Sequence, residues 1–216
     1  MGAKIAPQGF QSGQGIETRK DSVNHWIKLS KNKRLSYLDR KYLLDKSFNT
    51  TISLDTDSIR NVYLSKIAKQ YYRLGDSLAF RNANSLAIKL SFHLQDSIRL
   101  ANNYWDLGDF YSKHEVKDSA YYNYSKAEKI YEPLDKTYYR GLILLNMAII
   151  QSDLRDYTGS EVTTIRAIEL LKPLQKDRQI YRCYNNLGVV FNELQEYDKA
   201  LVYHNKALEY LKKIDK

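Results

Sequence analysis

Apolar side chains recur along this chain at the spacing of one face of an α-helix, and short polar segments separate the helical stretches. Near the N-terminus this stripe consists of Trp26, Leu35, Leu38, Tyr42, Leu43 and Phe48. Asp-Ser pairs, whose side chains are strong N-caps, precede helical patterns at 21–22, 57–58, 76–77, 96–97 and 118–119. The pattern predicts helix pairs over 22–31/36–53, 58–73/77–93, 97–113/118–132, 137–153/158–172 and 177–193/197–214.

Key positions recur with a step of forty residues. Small residues keep this step at Ala68, Gly108, Ala148 and Gly188, and again at Ala87, Ala127, Ala167 and Ala207. Pro133 and Pro173 keep it as well, as do Tyr157 and Tyr197. A fixed period of this size indicates structural repeats that bury their apolar faces against their neighbours.

The residues at these positions resemble the tetratricopeptide-repeat (TPR) family, in which a large residue, Leu-Gly, an aromatic residue, Ala, an aromatic residue, Ala and Pro follow in order. The repeat at about 97–136 carries the full set: Tyr104, Leu107, Gly108, Tyr111, Ala120, Tyr124, Ala127 and Pro133. The resemblance covers about 61–214 and implies an all-α, right-handed α-solenoid of about five helix-turn-helix units. In this packing, Gly or Ala lets two helices approach closely while aromatic rings fill the gaps beside them.

The predicted domain organisation is a tail followed by the solenoid. Residues 1–20 hold four of the nine glycines and little periodicity, which is typical of a disordered tail or a vector-derived remnant. The solenoid occupies 21–216, with a degenerate unit at 21–56 and repeats at about 57–96, 97–136, 137–176 and 177–216. No polar capping helix follows the last repeat, so we expect a longer protein.

In the TPR family the first helices line a concave groove, and the resemblance implies which side chains project into it. These are Lys66, Lys69, Tyr72 and Arg73 at a basic entrance, Trp105, Asp109, Leu145 and Ile149 in the middle, and Asn185 and Val189 beyond. An exposed apolar run with a Trp is typical of protein contacts, and a helix or extended peptide fits it. The alternative is that another helix of the full-length protein fills the middle of this groove.

The carboxylate clamp of chaperone-binding TPR proteins is not matched. Ser65, Asp106 and Leu142 stand where that clamp has Lys, Asn and Lys. The resemblance therefore disfavours binding of a chaperone tail.

Candidate catalytic and metal-binding residues are few. Cys183 is the only cysteine, and His25, His93, His114 and His204 are scattered without i, i+3 or i+4 spacing. No Gly-rich phosphate loop is present. We expect no catalysis, metal or cofactor in these residues.

The net charge of +9 is concentrated before residue 60, where the balance is +5. Such an excess of positive charge can bind nucleic acid, an acidic protein or a membrane surface, but a helix end and turn exposed to solvent explain it as well. Most aromatic residues occupy repeat-packing positions, so nucleic-acid binding is disfavoured. No stretch approaches the apolar length of a membrane span.

Three segments resemble repeat regions of sensor histidine kinases and helix-turn-helix regulators of Bacteroidetes-type bacteria. They run from Leu144 to Gln151, from Asp156 to Glu161 and from Tyr184 to Gly188. The resemblance implies a sensory input module that binds a protein or peptide, lies outside the cytoplasmic membrane and is joined to it only by a span beyond residue 216. A free-standing scaffold or assembly adaptor is the alternative. Homodimer formation stays open.

Overall fold

The computed structural model describes residues 12–214, and these residues form ten α-helices and one short 3-10 turn with no strand among them. The helices are α1 (Ser12–Ser30), α2 (Tyr37–Ile52), α3 (Asp57–Leu74), α4 (Ser77–His93), α5 (Ser97–Lys113), α6 (Lys117–Tyr131), α7 (Thr137–Asp153), α8 (Tyr157–Leu171), α9 (Asp177–Glu193) and α10 (Tyr197–Ile214). From α2 to α10, each described helix begins twenty residues after the one before it. The forty-residue repeat is thus two helix-and-turn segments of equal length.

The chain divides into two compact units, with the boundary between Leu90 and Ser91 inside α4. In unit 1, α1 packs on α2, α2 packs on α3, and α1 also contacts α3. In unit 2, the pairs α5/α6, α7/α8 and α9/α10 pack together, α6 contacts α7, α8 contacts α9, and α7 contacts α9. Within each unit, the first helices of successive pairs therefore lie side by side, as the helical-repeat prediction requires.

A left-handed residue ends each of seven successive helices at a step of twenty residues. These residues are Gly75, Gln95, Glu115, Asp135, Arg155, Gln175 and Gln195, with φ between 51° and 87°. The N–H of the next residue donates to a carbonyl five positions back, for example from Asp156 to Gln151 at 2.9 Å. This is the Schellman arrangement, which satisfies carbonyls that a helix end leaves free. The same turn therefore sets the direction of each following helix.

Two of the five predicted Asp-Ser caps are confirmed. Asp76 accepts the N–H of Ala79 at 3.0 Å, and Asp96 accepts the N–H of Arg99 at 3.1 Å. Asp57 and Asp118 instead lie inside the first turn of their helices, where a negative charge still favours the positive end of the helix dipole. The remaining pair, 21–22, lies within α1.

The predicted close approach of paired helices is confirmed in unit 2. A Cβ atom added at Gly108 would lie 2.5 Å from the Tyr124 ring, which is closer than two carbon atoms approach. The small residue thus makes room for the aromatic ring of the paired helix. Tyr124 is buried, and its hydroxyl donates to Asp109 at 2.7 Å.

The predicted helix bounds agree with the structure to within one residue except at the N-terminus. There α1 begins at Ser12 rather than at 22, so residues 12–20, predicted as a tail, are helical. Glycines disfavour helix when judged alone, which explains the error at Gly13 and Gly15. The predicted tail over 1–11 lies outside the described residues.

Candidate functional site

The predicted groove residues fall in both units. In unit 1, Lys66, Lys69 and Arg73 are exposed on α3, and the half-buried Tyr72 ring lies 5.5 Å from Phe80. The proposed basic entrance is therefore an accessible surface of α3.

In unit 2, the predicted groove residues differ in exposure. Asn185 and Val189 are exposed on α9, and Asp109 and Ile149 are half-buried. Leu145 has no exposed surface, because its side chain packs into the core of unit 2. The prediction that Leu145 lines an open groove is therefore wrong, since packing within the unit takes up its whole side chain.

Trp105 lies at the edge of an aromatic cluster that joins α5 to α7. Its ring meets Tyr139 edge-on, with 6.1 Å between centroids, and Tyr139 stacks on Tyr131 at 5.4 Å. Tyr138 follows at 5.6 Å from Tyr139. We call Trp105, Tyr138 and Tyr139 the aromatic step.

The aromatic step is partly open, and beneath its surface lies a buried donor without an acceptor in the described part of the chain. Tyr139 is 42% exposed and Trp105 is half-buried, while Tyr131 beneath them is buried. The indole Nε1 of Trp105 has no acceptor among the described residues. Burial, with the nearby Tyr139 and Asp106, raises the pKa of the Tyr131 phenol, so its hydroxyl stays protonated and donates to Asn102 Oδ1 at 2.6 Å. These contacts fix the step from below and leave part of its rings exposed, whereas the Trp105 Nε1 itself is buried.

Sequence reasoning found Trp105 but missed Tyr138 and Tyr139. The available signal was the pair of consecutive tyrosines in the first turn of α7. Consecutive residues of a helix point in different directions, so the two rings cannot both fill the same core position. These two rings extend the surface of Trp105 onto the neighbouring first helix.

The structure also describes the residues considered for chemistry. Burial raises the pKa of the Cys183 thiol to about 12, so the thiol stays protonated and unreactive at neutral pH. Among residues 12–214, His, Cys, Asp and Glu side chains form no group of three that could hold a metal ion. None of the described helices combines the length and the apolar character that a membrane crossing needs.

Two clefts occupy the same place in the repeat, one in each unit. The Lys41 cleft of unit 1 has a volume of about 240 Å³ and is lined by Lys41, Asp45, Phe48, Tyr71, Asp76, Leu78, Ala79 and Asn82. The Asp118 cleft of unit 2 has a volume of about 370 Å³ and is lined by Asp118, Tyr121, Tyr122, Ser125, Gln151, Leu154 and Asp156. Each lies between a second helix and the turn of the following repeat.

In the Lys41 cleft, charged groups satisfy one another. Lys41 Nζ lies 2.6 Å from Asp76 Oδ2 and 3.4 Å from Asp45 Oδ1, and Tyr71 donates to Asp45 at 2.7 Å. Burial opposes ionisation of Asp76, but hydrogen bonds from Lys41 and from the Ala79 N–H outweigh it and lower the pKa of that carboxyl. The hydrogen bond to Asp76 raises the pKa of Lys41. The cleft thus holds its own ion pair.

Comparison with known proteins supports the fold. No family model and no curated protein matches the chain. Among solved structures, BtubC from P. vanneervenii is 15% identical with a TM-score of 0.76, covering 96% of this chain and 93% of that one. A kinesin light chain from Podosopora anserina with nearly identical TPR-like repeats is 9% identical with a TM-score of 0.71, covering 95% and 99%.

Aspartyl phosphate phosphatase F from Bacillus subtilis is 17% identical with a TM-score of 0.82 over 94% of this chain. The chain spans only about half, 54%, of that protein's length. At such identities, the likeness shows the fold alone. The prediction of an all-α, TPR-like helical-repeat fold is confirmed.

Proposed function

We propose that this chain is a non-catalytic module that binds a protein or peptide at the aromatic step of unit 2. The observation that carries the proposal is the partly exposed pair Trp105 and Tyr139, whose ring centroids lie 6.1 Å apart on two neighbouring first helices. Large aromatic side chains dominate binding energy at protein contacts because they bury much area at little entropic cost.

The test begins with peptides selected from a random phage-displayed library on the wild-type chain. Affinity of a selected peptide is then measured for Trp105→Ala and Tyr139→Ala by isothermal titration calorimetry. We expect at least a tenfold loss for each variant, which is about 1.4 kcal/mol. Tyr197→Ala is the matched control, because Tyr197 is an exposed tyrosine of the same unit on the second helix α10.

Circular dichroism of each variant separates a lost contact from lost folding. Peptides whose affinity is the same for wild type and both step variants would contradict the aromatic step as the site. A library that yields no peptide with saturable binding would contradict peptide binding itself.

We further propose that the module is the sensory or regulatory input region of a larger bacterial signalling protein and lies outside the cytoplasmic membrane. The support is the resemblance of the segments at 144–151, 156–161 and 184–188 to such repeat regions. The coding sequence after Lys216 tests this: a membrane span followed by a kinase or helix-turn-helix domain is expected. A stop codon there would leave the free-standing scaffold instead.

A further inference from the structure

The Asp118 cleft is lined by hydrogen-bond acceptors and aromatic rings, without a cation of its own. Its lining includes the carboxylates of Asp118 and Asp156 and the rings of Tyr121 and Tyr122, and no Lys or Arg. Lys126 lies 4.4 Å from the Tyr122 ring and 4.9 Å from the Tyr104 ring, outside the lining. The cleft is therefore acidic on its walls.

Among the described residues, no cationic side chain forms an ion pair with either carboxylate of the Asp118 cleft. Asp156 Oδ1 accepts the N–H of Gly159 and Oδ2 accepts Nε2 of Gln151, both at 2.9 Å, and both donors are neutral. Asp118 is exposed in the first turn of α6. Across residues 12–214, neither carboxylate forms an ion pair, whereas the adjacent Lys117 pairs with Asp153 at 3.6 Å.

A buried amide inside the cleft wall also lacks a partner. Gln151 is 9% exposed, and its Oε1 accepts no hydrogen bond from any described residue. Its Nε2 is committed to Asp156. The wall therefore combines two carboxylates with a buried carbonyl oxygen that no donor of the described residues balances, and this excess of acceptors favours a ligand that donates hydrogen bonds and carries positive charge.

The Lys41 cleft shows which chemical group can lie beside the capping aspartate at this position of the repeat. It lies eighty residues earlier, so Lys41 corresponds to Tyr121, and Asp76 corresponds to Asp156. There, the chain's own ammonium lies 2.6 Å from the Asp76 carboxylate and 5.8 Å from the centroid of the Tyr71 ring. In unit 2, Tyr121 replaces that lysine and the cleft has a larger volume. Ser125 replaces Asp45, and Asp118 supplies the second carboxylate from the position of Leu38.

We propose that the Asp118 cleft binds an alkylammonium group from outside the chain, such as the side chain of a lysine. The ammonium donates to Asp156 and Asp118, while the Tyr121 ring contacts the cation and Leu154 packs against the alkyl stem. This site shares no residue with the aromatic step, so the experiment on the cleft tests a separate proposal from the proposed function.

The test uses the tripeptide acetyl-Ala-Lys-Ala-amide, with acetyl-Ala-Gln-Ala-amide as the neutral probe, followed by ¹H–¹⁵N NMR. The readout is the Gly159 amide, because this N–H donates to Asp156 and will report an ammonium bound there. We expect saturable shifts with a Kd of about 1 mM for the lysine peptide at low salt, and no saturable shift for the glutamine peptide. Because such contacts are screened, the affinity falls as salt is added.

Two variants make the test decisive. Asp118→Asn should weaken lysine-peptide binding at least fivefold while keeping a side chain of the same shape. Tyr121→Lys should abolish it, because the new ammonium would occupy the cleft as Lys41 occupies its own. Asp198→Asn is the matched control, since Asp198 is an exposed aspartate that lies eighty residues after Asp118, at the same position of the last forty-residue repeat.

A further arm uses n-butylammonium to identify the source of the group. Binding of both n-butylammonium and the lysine peptide would show that the ammonium alone suffices, and binding of the peptide alone would show that a chain must present it. The proposal is overturned if neither ligand gives saturable shifts, if the glutamine peptide shifts Gly159 equally, or if Tyr121→Lys binds as tightly as wild type. Circular dichroism confirms that each variant is folded.

Discussion

The Lys41 cleft and the Asp118 cleft share one backbone frame and differ in how their charge is balanced. Both place a capping aspartate at the start of a second helix, Asp76 in unit 1 and Asp156 in unit 2. In unit 1 that aspartate pairs with an ammonium of the same chain, and in unit 2 it pairs only with neutral donors. The two clefts therefore share the position of the capping aspartate and differ in the residue that faces it, which is Lys41 in unit 1 and Tyr121 in unit 2.

Removing each aspartate gives the largest expected contrast between the two clefts. Asp76→Ala removes a cap and leaves Lys41 without its closest partner, so we expect a loss of about 2–3 kcal/mol in the free energy of unfolding. Asp156→Ala removes a cap and one neutral hydrogen bond, so we expect about 1 kcal/mol. Urea denaturation followed by circular dichroism measures both. Equal losses in the free energy of unfolding would show that the ion pair of Asp76 adds no stability beyond the neutral hydrogen bonds of Asp156.

A second prediction breaks the ion pair from the other side. Lys41→Met leaves Asp76 mostly buried, with 12% of its side chain exposed, and without a cation. Since Lys41 itself is 35% exposed, we expect a loss of only about 1–1.5 kcal/mol, and Lys89→Met, at an exposed site on α4, should change little.

The pH dependence of that loss follows from the shifted pKa values. The folded pKa of Asp76 is lowered, so its contribution is complete above the unfolded value of about 3.9 and disappears as pH falls through the folded pKa. The folded pKa of Lys41 is raised, so its contribution is complete below about 10.4 and disappears as pH rises through the folded pKa. The difference between wild type and Lys41→Met should therefore be constant from about pH 5 to 9 and shrink in acid. A difference that stays the same at pH 2 would contradict an ionic origin.

The smallest expected effect concerns the turns that support the two clefts. Gly75 precedes Asp76 and Arg155 precedes Asp156, and both have positive φ. Because a side chain strains this conformation, Arg155→Gly should stabilise the fold by about 0.5–1 kcal/mol and Gly75→Ala should destabilise it by about 1 kcal/mol. Thermal unfolding of the two variants tests this, and a stabilising Gly75→Ala would contradict it.

The helices were predictable from the sequence because caps, periodic apolar positions and repeat spacing all indicate the same bounds. The start of α1 was not, since Gly13 and Gly15 have low helix propensity and only the structure shows the helix continuing through them. Leu145 occupies a groove position of the family pattern, yet the packing of unit 2 buries it completely. Periodicity assigns a residue to a face, whereas neighbouring side chains decide its exposure.

The clefts were missed for a related physical reason. Each is formed by a second helix and the turn of the next repeat, so its residues lie some thirty to forty positions apart in the chain. A signal existed in the sequence: Asp76 and Asp156 are eighty residues apart, as are Lys41 and Tyr121. Recognising it requires knowing that these two positions face each other, which only the packing reveals.

The twenty-residue spacing of helix starts from Tyr37 to Tyr197 also limits how the length of this protein can evolve. One residue inserted within a helix rotates everything after it by about 100°, which turns buried side chains outward in the rest of that helix. Removing a single helix with its turn would exchange first-helix and second-helix roles downstream. Homologous chains should therefore differ in length by whole forty-residue duplications or deletions, and related sequences with odd single-residue gaps inside helices should be rare.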